Sequence, residues 1–168
     1  MGAVVAADYR RPRAALLRNQ LRRAGVLADV LALDARTPLP FSDVFDRVLL
    51  DAPCSGLGTV RRDPDLKWSR QETDLQDLAA GQLAMITNAA RAVRPGGTLI
   101  YATCSSEPEE NSEILRAFLE RAPEFRLAPV SLAGAEVLVS AAGCLETLPY
   151  RDNLDAYFAA SLVRSQAA

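Results

Sequence analysis

The stretch Val48-Leu49-Leu50-Asp51-Ala52-Pro53-Cys54, followed by Ser55-Gly56-Leu57-Gly58-Thr59, decides the fold of this 168-residue chain. The apolar run Val48-Leu49-Leu50 reads as the buried end of a strand spanning Phe45 to Leu50 in a parallel sheet. The glycine-rich segment behind it reads as a loop. An acid, a rigid proline and a thiol therefore stand together at the carboxyl end of a strand. In open α/β sheets that edge is where ligands bind.

The same form recurs upstream. Ala3 to Ala7 reads as a buried strand ending in Asp8, and Val26 to Leu33 as a second ending in Asp34. Between them residues 10–24 read as a helix, with Ala14, Leu17, Leu21 and Ala24 on one face, arginines over the rest, and Gly25 as its stop. Asp is common in turns and at helix caps. Spacing alone therefore leaves open a shared ligand site or ordinary turn chemistry.

Downstream, Ser69 and Glu72 fit a capping box that opens a helix ending near Val93. Pro95-Gly96-Gly97 reads as a turn, and Thr98 to Ala102 as a strand delivering Thr103-Cys104-Ser105-Ser106. A second box, Ser106 with Glu109, opens a helix bearing Ile114, Leu115, Phe118 and Leu119, which Pro123 closes. Phe125 to Val130 and Glu136 to Ser140 are weaker strands, and Asp155 to Val163 is the last. This alternation predicts an α/β fold with a doubly wound, mostly parallel sheet. Right-handed crossovers would bring Asp8, Asp34, Asp51 and Cys104 to one cleft.

Composition narrows the function. The length suits a single domain, spanning residues 1–168; hydrophobic residues make up 49% and charged residues 24%, the balance of a globular chain. No apolar run approaches the roughly 20 residues of a membrane span, and the N-terminus does not read as a signal peptide. The expected compartment is the cytoplasm. A net charge of −2 means that a nucleic-acid partner must be met by local patches. The chain has three cysteines and no histidine, which argues against a metal site and excludes Ser-His-Asp or Cys-His catalysis within it.

Cys54 fits neither of two rival motifs. A C-x5-R phosphatase loop needs arginine where Val60 stands, and a G-x-G-x-x-G loop from Gly56 needs glycine where Arg61 stands. Cys104, ahead of a helix N-terminus, is placed for thiolate stabilisation, although a buried structural thiol fits that position equally. Cys144 reads as structural. Arg61, Arg62, Lys67 and Arg70 surround Trp68, either as a nucleic-acid patch or as a solvated loop.

Taken together, these residues resemble the Sun-type RNA cytosine-C5 methyltransferases. Asp51-Ala52-Pro53-Cys54-Ser55-Gly56-Leu57-Gly58, with Arg61-Arg62-Asp63-Pro64-Asp65-Leu66-Lys67-Trp68, is similar to the family's motif IV and its extension. Tyr101-Ala102-Thr103-Cys104-Ser105, with Glu109-Glu110-Asn111, is similar to motif VI. Leu148-Pro149-Tyr150-Arg151-Asp152 and Asp155-Ala156-Tyr157-Phe158 resemble the closing P-H-x-D…D-G-F-F segment, from which Tyr150, Ala156 and Tyr157 depart.

The resemblance implies a Rossmann-like class I methyltransferase sheet and S-adenosylmethionine as cofactor. By it, Asp8 holds the ribose hydroxyls, Asp34 accepts from the adenine amino group, and Asp51 faces the methionine amino group or the target base. Cys104 is the nucleophile, adding to C6 so that C5 becomes enamine-like, and Cys54 assists release. Pro53, Arg61, Arg62 and Lys67 meet a ribosomal or transfer RNA whose cytosine is unpaired or flipped out. No membrane and no metal are implied. The family's glycine-rich motif I would precede Gly2. The chain is therefore expected to be the C-terminal part of a catalytic domain, truncated at its N-terminal strand. A mid-sheet gap would lie between the strands ending in Asp8 and Asp51, closed by direct pairing, a partner chain or disorder. Such a fragment would bind S-adenosylmethionine poorly and be active only in the full-length form. The alternative is a non-catalytic remnant that keeps the fold and binds RNA or a partner chain.

Overall fold

A computed structural model of the chain describes residues 2–69, 71–131 and 133–166. Strand β1 (Val5–Asp8) leads into helix α1 (Arg11–Arg23), and β2 (Asp29–Ala32) returns parallel to β1. Gly25, at φ +69°, makes the left-handed turn that ends the helical segment. The chain then enters β3 (Phe45–Asp51), α2 (Leu66–Ser69), α3 (Glu72–Ala92) and β4 (Val93–Thr103). It closes with α4 (Ser112–Arg121), β5 (Phe125–Ala128), β6 (Leu145–Thr147), α5 (Pro149–Asp152) and β7 (Tyr157–Arg164).

The larger sheet has the order β3-β4-β7-β5, with β6 also paired to β7. β3 and β4 are parallel, from Arg47 opposite Thr98 to Asp51 opposite Ala102. β7 is antiparallel to β4 on one edge and to β5 and β6 on the other. The expected mostly parallel sheet is thus mixed. β7 enters between β4 and β5, and antiparallel pairing needs no crossover helix. The Rossmann-like frame holds, with α3 and α4 packed on the sheet. Ile86, Ala89 and Ala90 from α3, Phe118 from α4, and Leu99, Tyr101 and Leu162 from the sheet form one buried cluster.

β1 and β2 form a separate two-stranded sheet, with no hydrogen-bonded ladder to β3 among the described residues. Direct pairing across the expected gap is therefore not adopted. The connection to β3 is held instead by Asn88 Nδ2, which donates to the Ala35 carbonyl at 2.9 Å. Ala35 also packs against the core.

Several local expectations shift for identifiable reasons. The Ser69–Glu72 box is not formed: Ser69 ends α2 and its hydroxyl donates to the Leu66 carbonyl. The cap lies two residues later, where the Asp74 carboxylate accepts from the Gln71 backbone N–H at 3.0 Å. The Ser106–Glu109 box is absent too, because Ser106 donates to Glu107 and a 3-10 turn covers Pro108–Glu110. Pro95-Gly96-Gly97 does not separate helix from strand. It is a bulge inside β4, across which the register slips from Phe45–Val93 to Arg47–Thr98. Glu136–Leu138 is a 3-10 turn rather than a strand; only Val139 bridges to Leu145.

Candidate functional site

Parallel pairing of β3 with β4 carries their two carboxyl ends out side by side, and the two cysteines with them. Cys54 Sγ and Cys104 Sγ lie 3.2 Å apart, both half-buried. The hydrogen bond from Cys54 draws the Cys104 thiol down to about 7, against burial and the nearby Asp51 charge, which push it up. The same contact, together with burial, pushes Cys54 far above the thiol range. The contact thus favours ionisation of one sulfur and protonation of the other. A helix dipole has little part in this, since α4 begins only at Ser112.

Three chain segments meet against these sulfurs. Gly58 N–H donates to the Cys104 carbonyl at 3.1 Å, and Ala156 N–H donates to the Gly58 carbonyl at 2.9 Å. A Cβ on Gly58 would stand 2.7 Å from the Cys104 oxygen and against the Ala156 carbonyl. Only glycine fits there.

Beneath the sulfurs lies a buried polar layer that the sequence reading did not assign. The Glu110 carboxylate is fully buried and accepts from Ser55 N–H at 2.8 Å, Ser55 Oγ at 2.6 Å and Gln82 Nε2 at 2.9 Å. Gln82 Nε2 also reaches the Pro53 carbonyl at 3.0 Å. Asn111 accepts from Thr103 Oγ1 at 2.6 Å and donates to the Ser105 carbonyl at 2.9 Å. One signal was available in the sequence: Gln82 is a polar residue on the apolar stripe of α3 between Leu78 and Ile86.

The remaining expected residues divide into groups. Asp51 is exposed at the end of β3, and Pro53 is exposed beside it. Asp8 is the last residue of β1 and Asp34 lies two residues past β2, so the four residues expected along one cleft are split between two sheets. Asp8 Oδ1 accepts from the Arg10 backbone N–H at 2.7 Å. Asp34 uses both carboxylate oxygens on Arg36, which holds its carboxyl below the usual range. Arg61 donates to the Asn153 carbonyl at 3.3 Å, and Arg62 pairs at 2.5 Å with the buried Asp155. Lys67 and Trp68 are exposed, Trp68 at 88%. Leu66 lies next to Gly56, so α2 is pinned beside the Cys54 loop. Arg70 lies outside the described residues. Cys144 is buried in the hydrophobic core cluster. Among the described residues no three His, Cys, Asp or Glu side chains converge on a metal position. No described helix is long and apolar enough to cross a membrane.

Residues 1–163 match the family described as 16S rRNA methyltransferase RsmB/F. A ribosomal RNA small subunit methyltransferase B from Sodalis glossinidius (strain morsitans) is 40% identical over 98% of this chain and 37% of its own length. One from Klebsiella pneumoniae (strain 342) is 38% identical over 96% and 36%. The chain thus spans little more than a third of these curated relatives. Among solved structures, PH0851 superposes with a TM-score of 0.88 at 34% identity, covering 96% of this chain and 37% of that one. NSun6 from Pyrococcus horikoshii with SFG superposes at 0.83 and 26% identity, covering 99% and 42%.

Proposed function

This chain belongs to the 16S rRNA methyltransferase RsmB/F family, and from that premise we propose that its paired sulfurs serve the methylation of C5 of a cytosine in ribosomal or transfer RNA. The observation that carries the reading is the 3.2 Å approach of Cys54 to Cys104, with the lowered thiol on Cys104. The activity is proposed for a polypeptide of the relatives' length containing these residues, because the chain spans 37% of the Sodalis protein.

In this reading the Cys104 thiolate adds to C6 of the base. An S–C6 bond forms and the ring electron pair moves toward C5, making that carbon nucleophilic. Asp51, at the end of the neighbouring β3, faces the N3/N4 edge of the ring, where it accepts from the N4 amino group and from N3–H once that nitrogen is protonated. The base is unpaired or flipped out of its helix, since neither face of C6 is reachable in a stack. Release requires transfer of the C5 proton to a base, collapse of the C5–H bonding pair into the C5–C6 bond, and departure of the Cys104 sulfur with the S–C6 pair. Cys54 stays protonated at 3.2 Å and donates a hydrogen bond to the departing thiolate.

S-adenosylmethionine, when bound, supplies the electrophilic methyl group. The donor set on this chain fits it. Asp8 engages Arg10 N–H through Oδ1, leaving Oδ2 to a ribose hydroxyl. Asp34 reaches an adenine amino group once Arg36 swings off its carboxylate. The alternative role for Asp51 is to accept from the methionine amino group instead of facing the base. The SFG in the NSun6 structure, an analogue of S-adenosylmethionine, supports this cofactor at the level of the family. Exposed Lys67 and Arg61 meet phosphates, Pro53 borders the base, and Arg62 shares its charge with Asp155.

Trapping tests the reading. With RNA and cofactor, Cys54→Ala should accumulate a denaturation-resistant protein–RNA adduct, and Cys104→Ala should form none. The reverse pattern would move the nucleophile to Cys54 and sink the assignment.

A further inference from the structure

We infer that Glu110 and Asn111 are a positioning pair that clasps the two sulfur-bearing loops and sets the distance between Cys54 and Cys104. The residues that flank each cysteine carry the argument. Glu110 binds Ser55 directly and Pro53 through Gln82, so it grips the chain on both sides of Cys54. Asn111 binds Thr103 and Ser105, so it grips both sides of Cys104. Because Glu110 and Asn111 are consecutive, the two grips share one rigid peptide unit. Ser55 Oγ and Ser105 Oγ join the loops a second time at 3.3 Å. The pair is itself fixed from below, where Tyr101 OH donates to the Glu110 carbonyl at 2.7 Å.

Burial makes this arrangement stiff. Ser55, Gln82, Thr103, Ser105, Glu110 and Asn111 are each no more than 6% exposed. A buried carboxylate or amide persists only where its partners stay within hydrogen-bond reach. Moving one loop by an ångström breaks several of these bonds at once. The clasp also explains why α4 starts late. Glu110 and Asn111 face inward, so the expected capping box at Ser106 and Glu109 gives way to a 3-10 turn. Neither residue touches the reacting atoms; each acts through the loops it holds.

The inference rests on reading Cys54 and Cys104 as the working pair, but its test needs neither RNA nor cofactor. Diamide joins two adjacent thiols. The S–S bond forms while the two thiol hydrogens and their electrons pass to the azo group, giving the hydrazine. The rate of Cys54–Cys104 cross-linking in the 168-residue chain, read by mass spectrometry, is therefore a ruler for sulfur spacing. Glu110→Gln and Asn111→Ala should slow it about tenfold, the rate equivalent of one lost buried hydrogen bond. Asn111→Ala, which leaves the Glu110 charge in place, should also raise the pH midpoint of Cys104 alkylation. Thr103→Ser keeps the hydroxyl and should keep the wild-type rate, and Thr103→Val should not. Phe118→Leu, in the core away from the sulfurs, should lower the melting temperature and leave the rate alone. Wild-type rates in folded Glu110→Gln and Asn111→Ala, or equal slowing in Phe118→Leu, would overturn the inference. A wild-type chain that forms no cross-link would overturn it too. If the clasp variants fail to fold, the Thr103 pair decides: equal rates in Ser and Val variants overturn it. A chain that cross-links as expected yet traps no RNA counts only against the proposed reaction.

Discussion

Replacing Gly58 by alanine adds one methyl group at the junction of the Cys54 loop, the Cys104 carbonyl and the Ala156 segment. That methyl would stand 2.7 Å from the Cys104 oxygen and 2.9 Å from Ala156 Cβ, and it would also press on the Ala156 carbonyl. Two of the three opposing atoms are backbone, so no side chain can rotate away. Relief requires moving the segments apart, which lengthens the Gly58–Cys104 and Ala156–Gly58 hydrogen bonds now at 3.1 and 2.9 Å. Overpacking in a tight interior costs about 1–3 kcal/mol, and loss of a buried hydrogen bond adds about 1 kcal/mol. A total near 3 kcal/mol corresponds to a fall of about 6–12 °C in Tm for a domain of this size. Differential scanning calorimetry reads the fall, and the diamide cross-linking rate reads the displaced Cys104. The control is Gly81→Ala in the middle of α3, where a Cβ meets nothing within 4 Å. There the same substitution should stabilise by about 0.8–1 kcal/mol through helix propensity. A Gly58→Ala chain that melts with the wild type and cross-links at its rate would refute the packing argument.

Alkylation of Cys104 should follow a thiolate that forms near pH 7, so its rate should fall about tenfold between pH 8 and pH 6. Cys54→Ala removes the hydrogen bond that lowers the thiol, so the midpoint should move up toward about 8.5, and an unmoved midpoint would contradict the assignment of the thiolate. Tyr101→Phe deletes a fully buried hydroxyl bonded to the Glu110 carbonyl at 2.7 Å. Urea denaturation should report a loss of about 1–3 kcal/mol with an unchanged m-value.

The parallel part of the fold was legible because β1, β2 and β3 are short, mostly apolar runs with an acid at or just past the carboxyl end, although the structure leaves them less buried than such runs suggest, with Leu49 69% exposed. The β3–β4 pair and its two cysteine-bearing ends follow from that pattern, and both lie where expected. The carboxy-terminal strands were harder to read. β6 has three residues and pairs with β7 only over Leu145–Thr147, too short for any period to register. The expected strand at Glu136–Ser140 has the right residue types, but only Val139 finds a bridge partner. Strand propensity describes a pleated, half-buried surface, and without a neighbour that surface does not exist.

The site divides along a different line. The thiols and acids of the candidate site were visible as motifs, because such residues at strand ends are rare enough to stand out. The residues that hold them in place, although Ser55, Thr103, Ser105, Glu110 and Asn111 fall inside the quoted motifs, carried no expected role, because each resembles something ordinary. Ser106 and Glu109 match a helix cap, and Glu110 and Asn111 match polar residues in a helix's first turn. What overrides the local preference is a tertiary demand. The chain flanking Cys54 has a buried N–H and hydroxyl at Ser55, the chain flanking Cys104 has a buried hydroxyl at Thr103, and these require inward acceptors. A carboxylate and an amide supplied at adjacent positions meet both demands only if the helix begins after them. The late start of α4 at Ser112 is therefore the local consequence of fixing two sulfurs 3.2 Å apart. A one-dimensional capping rule cannot report it, because the partners are Gln82 and Ser55, 28 and 55 residues away.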